Sequence, residues 1–168
     1  MSKQNIYLIL NSIRSAYNVG SIFRTADGAG VDKIFLCGIT PTPDVDIFGK
    51  GASSQIAKTA LGAEKILEWH YEKQSWRLLK KLKEEGFRIV ALEQTPQSKN
   101  LFSAEGRSVF GRKNSIVLVV GNEVNGLSSK ILEYVDDIIE IPMHGSKESL
   151  NVSVATGIAL YKLREFLK

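Results

Sequence analysis

An α/β fold, with a parallel sheet covered by helices on both faces, is predicted by three observations. Strand-like and helix-like stretches alternate along the chain, the pattern of βα units. Residues 6–10 (IYLIL), 33–37 (KIFLC) and 115–120 (SIVLVV) are almost continuously apolar, as strands buried on both faces are. Loop-forming residues follow the strand ends, with Gly121 after 115–120 and Pro142 after 137–141 (DIIEI).

Residues 6–10 form the first strand, and the polar stretch 11–17 a loop. Asn18 reads as the N-cap of a helix whose apolar face is Val19, Ile22, Phe23 and Ala26, ended by Gly28 and Gly30. The second strand is 33–37. Residues 40–51, with Pro41, Pro43, Gly49 and Gly51, read as a long loop. Residues 54–61 suggest a short helix, and 65–71 are ambiguous, a short strand being one reading. Residues 74–85 are amphipathic, with Trp76, Leu78, Leu79 and Leu82 inside and Arg77, Lys80, Lys81 and Lys83 outside, and Gly86 stops them. That basic face is read as solvated. Residues 88–93 (RIVALE) form a strand and Pro96 marks the next loop. Residues 103–108 read as a polar loop. After the strand 115–120 comes the glycine-rich stretch 121–127, then a short helix from Ser128 to about Tyr134. A strand at 138–141 leads through a polar loop to a terminal helix, 151–168, which is apolar almost all round.

Composition sets bounds. With 168 residues and 43% apolar content, one domain with its own core is expected, spanning residues 1–168. The net charge of +4 is compatible with a nucleic-acid partner. A single cysteine, Cys37, excludes an internal disulfide and a cysteine-based metal site, and it ends an apolar run as a buried strand thiol would. His70 and His144 stand far apart without carboxylates at ligand spacing, so no metal is expected. No apolar run approaches a membrane span or a signal segment, so the expectation is a cytoplasmic protein without membrane attachment.

Two loops and one helix could carry chemistry. Residues 121–127 (GNEVNGL) follow the strongest strand, and ligands of open α/β sheets sit outside the carboxyl ends of strands. The two glycines are neither a dinucleotide fingerprint nor a P-loop, so a plain strand-to-helix turn is the other reading. Residues 141–150 leave a strand through Pro142 and pass Gly145 and Ser146, exposing backbone groups that no ladder consumes. Arg24 lies near the start of the first helix. Taken alone it is a solvated residue, or a fork-shaped donor to a phosphate held at the helix N-terminus. No serine–histidine–acid set is present.

Three segments together resemble the SpoU (TrmH-like) branch of the SPOUT RNA methyltransferases: NVGSIFR at 18–24, VGNEVNGLS at 120–128 and IPMHGSKESLNVSVA at 141–155. They occur in the family's order and extend the likeness over nearly the whole chain. The resemblance implies a trefoil-knotted α/β domain that forms a homodimer, binds S-adenosyl-L-methionine in the knot and methylates a ribose 2'-hydroxyl of tRNA or rRNA. By the same likeness Arg24 is the proposed catalytic residue, with Asn18, Glu123, Ser149 and Asn151 beside it. Leu92, Gly121, Asn122, Gly126, Ile141, Met143, Ser149 and Leu150 are implied to line the cofactor site, and Ser153 matches the last motif. Asn122 stands where the wobble-nucleotide methylases carry proline, and Lys162 replaces a common acidic residue. A separate N-terminal RNA-binding domain, present in some rRNA methylases, is not expected. Two other classes remain: a catalytically silent RNA-binding module with the same fold, and a Rossmann-like nucleotide enzyme, which the missing GxGxxG disfavours.

Overall fold

A computed structural model describes residues 4–44, 51–110 and 114–167 of the chain. Seven parallel strands form one sheet in the order β3-β2-β1-β6-β4-β7-β5. They are β1 (Ile6–Asn11), β2 (Lys33–Cys37), β3 (Glu68–Glu72), β4 (Arg88–Leu92), β5 (Lys99–Asn100), β6 (Ile116–Val120) and β7 (Asp137–Glu140). β6 is inserted between β1 and β4, and β7 between β4 and β5. The helices are α1 (Ala16–Gly28), α2 (Ala52–Ala60), α3 (Ala63–Ile66), α4 (Ser75–Glu84), α5 (Ala104–Phe110), α6 (Ser129–Leu132) and α7 (Val152–Phe166).

Both sheet faces are covered, which is why the inner strands carry no polar alternation. Leu8, Leu10, Ile34, Leu36, Leu118 and Val120 pack on one side with the apolar faces of α1, α2, α5 and α7. Ile9, Phe35, Cys37, Val117 and Val119 pack on the other with Leu78, Leu79 and Leu82 of α4 and Ile131 of α6. A strand buried on both faces has no solvent side on which to place a polar residue. The Cys37 thiol, sealed in this second layer, is pushed up to about 12 by burial and by the nearby Glu72 carboxylate. It is therefore a packing group rather than a nucleophile.

Several expectations are corrected. Asn18 does not cap the first helix. Ser15 does, its side chain accepting from the Asn18 N–H at 3.2 Å, so the helix starts earlier and Asn18 sits in its first turn. Residues 103–108 are not a loop but the start of α5, where Ser103 accepts from the Gly106 N–H at 3.1 Å as a helix cap and Val109 and Phe110 enter the core. The ambiguous stretch 65–71 divides into the end of α3 and most of β3. The two-residue strand β5 had no sequence signal. Trp76 is only half-buried; it stacks on Tyr134 with ring centroids 6.5 Å apart, beneath the Lys130 ammonium at 4.1 Å. Residues 45–50 of the expected 40–51 loop lie outside the described residues.

Two polar devices fix the frame. The terminal helix α7 is fastened to α1 near its end, where Arg164 donates Nε–H to the Ala29 carbonyl at 2.8 Å and Nη2–H to the Gly30 carbonyl at 2.5 Å. The donors thereby satisfy carbonyls that the end of α1 leaves open. Asp137, its side chain only 4% exposed, is held between Arg88 and Lys99, the latter at 2.8 Å. This ties β4, β7 and β5 together at their amino ends. Removing one partner of a buried ion pair leaves an uncompensated charge. Asp137→Ala should therefore lower stability by about 3 kcal/mol in urea unfolding; a loss below about 1 kcal/mol would mean that water already satisfies Arg88.

Candidate functional site

The carboxyl ends of β6, β4 and β7 lie side by side, and the loops that leave them enclose a cavity of about 360 Å³. Leu92, Gly121, Asn122, Gly126, Ile141, Met143, Ser149 and Leu150 all line it, as does Glu123. Eight residues implied for one ligand by sequence likeness thus converge on one space.

The 121–127 loop is shaped by its own side chains. Asn122 is buried and accepts from the Val124 and Asn125 N–H groups at 2.9 and 3.0 Å. Its amide donates to the Ser12 carbonyl at 2.8 Å, tying this loop to the β1–α1 link. Gly121 must be glycine because a Cβ there would lie 2.7 Å from the Gly126 carbonyl carbon. Gly126 has φ +61°, and a Cβ there would lie 2.3 Å from Glu93 Oε2. That same oxygen accepts from the Leu127 N–H at 2.8 Å.

The 141–150 loop is built differently. Among the described residues, no backbone–backbone hydrogen bond is made by residues 143–150, and the Glu148 carbonyl accepts only from the Gln94 side chain at 3.0 Å. Its backbone donors and acceptors are available to a ligand. Ile141 and Met143 are half-buried, while Ser149 and Leu150 are exposed at the rim.

The three motifs of the sequence meet at the mouth of this cavity. Asn18 donates its amide to Glu123 Oε1 at 3.2 Å, and its oxygen accepts from Asn151 Nδ2 at 3.2 Å. Asn151 in turn caps α7, accepting from the Ser153 N–H at 2.8 Å and the Ser153 hydroxyl at 2.6 Å. A continuous chain of side chains so links α1, the 121–127 loop and the start of α7.

Arg24 is not part of that junction. It lies six residues after Asn18, about 9 Å along the helix axis. There it is exposed and lines a separate hollow of about 610 Å³ with Ser21, Thr25, Lys58, Thr59 and Tyr161. Within one chain the expected catalytic arginine and the expected cofactor residues are therefore apart.

Several lining residues escaped the sequence reading. Glu93, Gln94, Glu140 and Glu148 border the cavity with Glu123. Glu93 ends the expected strand 88–93, and a charged residue closing an apolar run is the available signal. The lining includes four glutamates and no lysine, arginine or histidine. Such a field favours a ligand with positive charge. Among the described residues no cluster of three or more His, Cys, Asp or Glu side chains is arranged to hold a metal ion. Nor is any described helix long and apolar enough to cross a membrane.

Comparison with known proteins gives a consistent picture. The tRNA (guanosine(18)-2'-O)-methyltransferase of Aquifex aeolicus is 32% identical over 161 residues, which make up 95% of this chain and 69% of that protein. The 23S rRNA (guanosine-2'-O-)-methyltransferase RlmB of Neisseria meningitidis is 30% identical over 164 residues, 98% of this chain and 60% of that protein. The chain thus spans only part of the length of these relatives. The crystal structure of an AdoMet-bound rRNA methyltransferase from Sinorhizobium meliloti matches the fold with a TM-score of 0.83 at 26% identity, covering 99% of this chain and 58% of that one. The parallel seven-stranded sheet is that of the SpoU methyltransferase structures. Since the model of the SpoU rRNA Methylase family matches residues 5–161, which contain all three motifs and both hollows, the chain belongs to that family.

Proposed function

We propose that the chain transfers a methyl group from S-adenosylmethionine to a ribose 2'-hydroxyl of tRNA or rRNA. The observation that carries this reading is the junction of Glu123, Asn18 and Asn151 at the mouth of a cavity rich in carboxylates. The activities of the Aquifex and Neisseria relatives support the substrate class.

The cavity residues fit the cofactor. S-adenosylmethionine, when bound, supplies an electrophilic methyl group on a positively charged sulfonium. The glutamates suit that charge, the free backbone groups of 143–150 suit an adenine edge, and Leu92, Ile141, Met143 and Leu150 give apolar surface for its ring. The rest of the chemistry is positioning and removal of one proton. Arg24 has no ion-pair partner among the described residues, and a guanidinium stays protonated in water. Its role in this reading is to hold the phosphate beside the target ribose and stabilise the alkoxide that develops there. Glu123 carries the carboxylate of the junction that can accept a proton, with Asn18, Asn151 and Ser149 as its neighbours.

The same reading joins Arg24 to the cavity through a second copy of the chain. Val154 on α7 is 51% exposed, and Tyr17 on α1 is 48% exposed. These apolar groups, beside the Arg24 hollow, support a homodimer in which α1 and α7 meet the partner and Arg24 serves the partner's cavity. The inserted positions of β6 and β7 support a knotted path with α7 drawn through a loop. A single catalytic domain acting in the cytoplasm completes the proposal.

Labelled methyl transfer to total tRNA and rRNA, with nucleoside mapping, tests the activity; RNA binding without transfer would instead indicate a silent module. Light scattering at micromolar concentration should give a dimer, and a monomer would contradict the shared site. Gly121→Val drives a branched side chain into the Gly126 backbone and should abolish S-adenosylhomocysteine binding in calorimetry; unchanged affinity would sink the cofactor placement. Arg24→Ala should alter stability by about 0.5 kcal/mol or less and leave cofactor affinity intact. Single-turnover transfer should fall about a hundredfold or more, with little rescue by Arg24→Lys, which lacks the planar fork. Rates near wild type would return catalysis to Asn18, Glu123, Ser149 or Asn151.

A further inference from the structure

The hollow around Arg24 contains more than Arg24. Lys58, exposed on α2, lines it as well, and so does Tyr161 from α7. No carboxylate lines the hollow. Neither Arg24 nor Lys58 forms an ion pair among the described residues. Two cations facing one space without an anion repel each other unless a ligand supplies the missing charge.

The neutral groups have the same imbalance. Thr25 and Thr59 spend their hydroxyl protons on the carbonyls of Ser21 and Tyr17, at 3.0 and 2.9 Å. The Ser21 hydroxyl and the Tyr161 phenol donate to no described residue. The phenol stands over Gly28, where an added Cβ would come within 3.0 Å of it. A guanidinium, an ammonium and two hydroxyl donors therefore border a hollow that offers them no anionic acceptor. Oxygens of a phosphodiester, each able to accept several such bonds, complement this set.

We infer that Lys58, with Ser21 and Tyr161, completes a phosphodiester-binding site beside Arg24 that grips the RNA strand next to the reacting ribose. The inference rests on the RNA reading above and adds Lys58 as a positioning residue. Lys58 supplies a compact charge while Arg24 supplies a directional fork, so the first sets affinity and the second sets geometry. The two residues should separate kinetically.

The test uses the full chain and two readouts. Binding of a fluorescein-labelled, mixed-sequence oligoribonucleotide is followed by anisotropy over a salt series. Methyl transfer to total tRNA and rRNA is measured against RNA concentration. Lys58→Gln should weaken oligoribonucleotide binding and raise the KM for RNA, each about tenfold, the scale of one hydrogen bond to a charged group. The salt slope should shrink by about 0.7, the contribution of one phosphate on a single strand. Cofactor affinity, light-scattering mass and kcat at saturating RNA should stay within about twofold, and Lys58→Arg should restore most of the binding because it keeps the charge. Loss of affinity with an unchanged salt slope, or a fall in kcat alone, would overturn the phosphate role. If the wild-type chain binds and methylates RNA and Lys58→Gln matches it, this inference alone falls. A wild-type chain that neither binds nor methylates RNA overturns both it and the proposed function.

Discussion

Val120 stands beside Leu10 on one side and Leu92 on the other, and Leu92 beside Ile139. That backbone register sets where every functional loop begins. Parallel strands aligned in this way all release their chains at one edge of the sheet, so the loops after β4, β6 and β7 share a single space. Side-chain chemistry then refines what the ladder has set. Asn122 consumes both ends of its amide in shaping one loop and tying it to the β1–α1 link. Gly121 and Gly126 let two backbone segments and the Glu93 carboxylate approach more closely than any Cβ permits. A one-residue slip of β6 would move Gly121 off that edge and turn every core side chain to the wrong face.

Charge is divided between two hollows that share helix α7. The cavity at the strand ends is bordered by glutamates and by no cation, whereas the hollow beside Arg24 is bordered by cations and by no carboxylate. The division is more informative than the net charge of +4, which averages over both. A cationic small ligand and a polyanionic strand have opposite preferences, and an enzyme that must hold both gains specificity by keeping the two fields apart. Glu123 and Asn18 mark the boundary, since they belong to the cavity mouth yet stand on or against the helix that carries Arg24.

The fold was legible in the sequence where local pattern and tertiary demand agreed. The runs at 6–10, 33–37 and 116–120 are buried on both faces and could hardly be read otherwise. Ends were harder. Ser15 and Asn18 are both good caps, but the Asn18 amide has partners elsewhere: it bonds Glu123 and Asn151, contacts that span more than 100 residues and leave no local trace. Helix α5 was hidden because Gly106 and the serines around it resemble a turn, while the reason for glycine is the Asn100 carbonyl, 2.1 Å from where a Cβ would sit. The cavity residues were found through motif likeness, but Glu93 and Lys58 belong to no motif and were missed. Only the folded chain reveals which surface side chains face each other across a hollow.

Helix α7 is clasped to α1 at both ends, by Asn151 against Asn18 at its start and by Arg164 against Ala29 and Gly30 near its finish. It also supplies Val152 and Ala155 to the cavity wall. Because Ala159, Leu160 and Leu163 of α7 are buried in the core, the helix that covers part of one sheet face also supplies one wall of the site. Folding and site assembly are thus one event, since that face of the sheet cannot be buried without also forming the cavity wall.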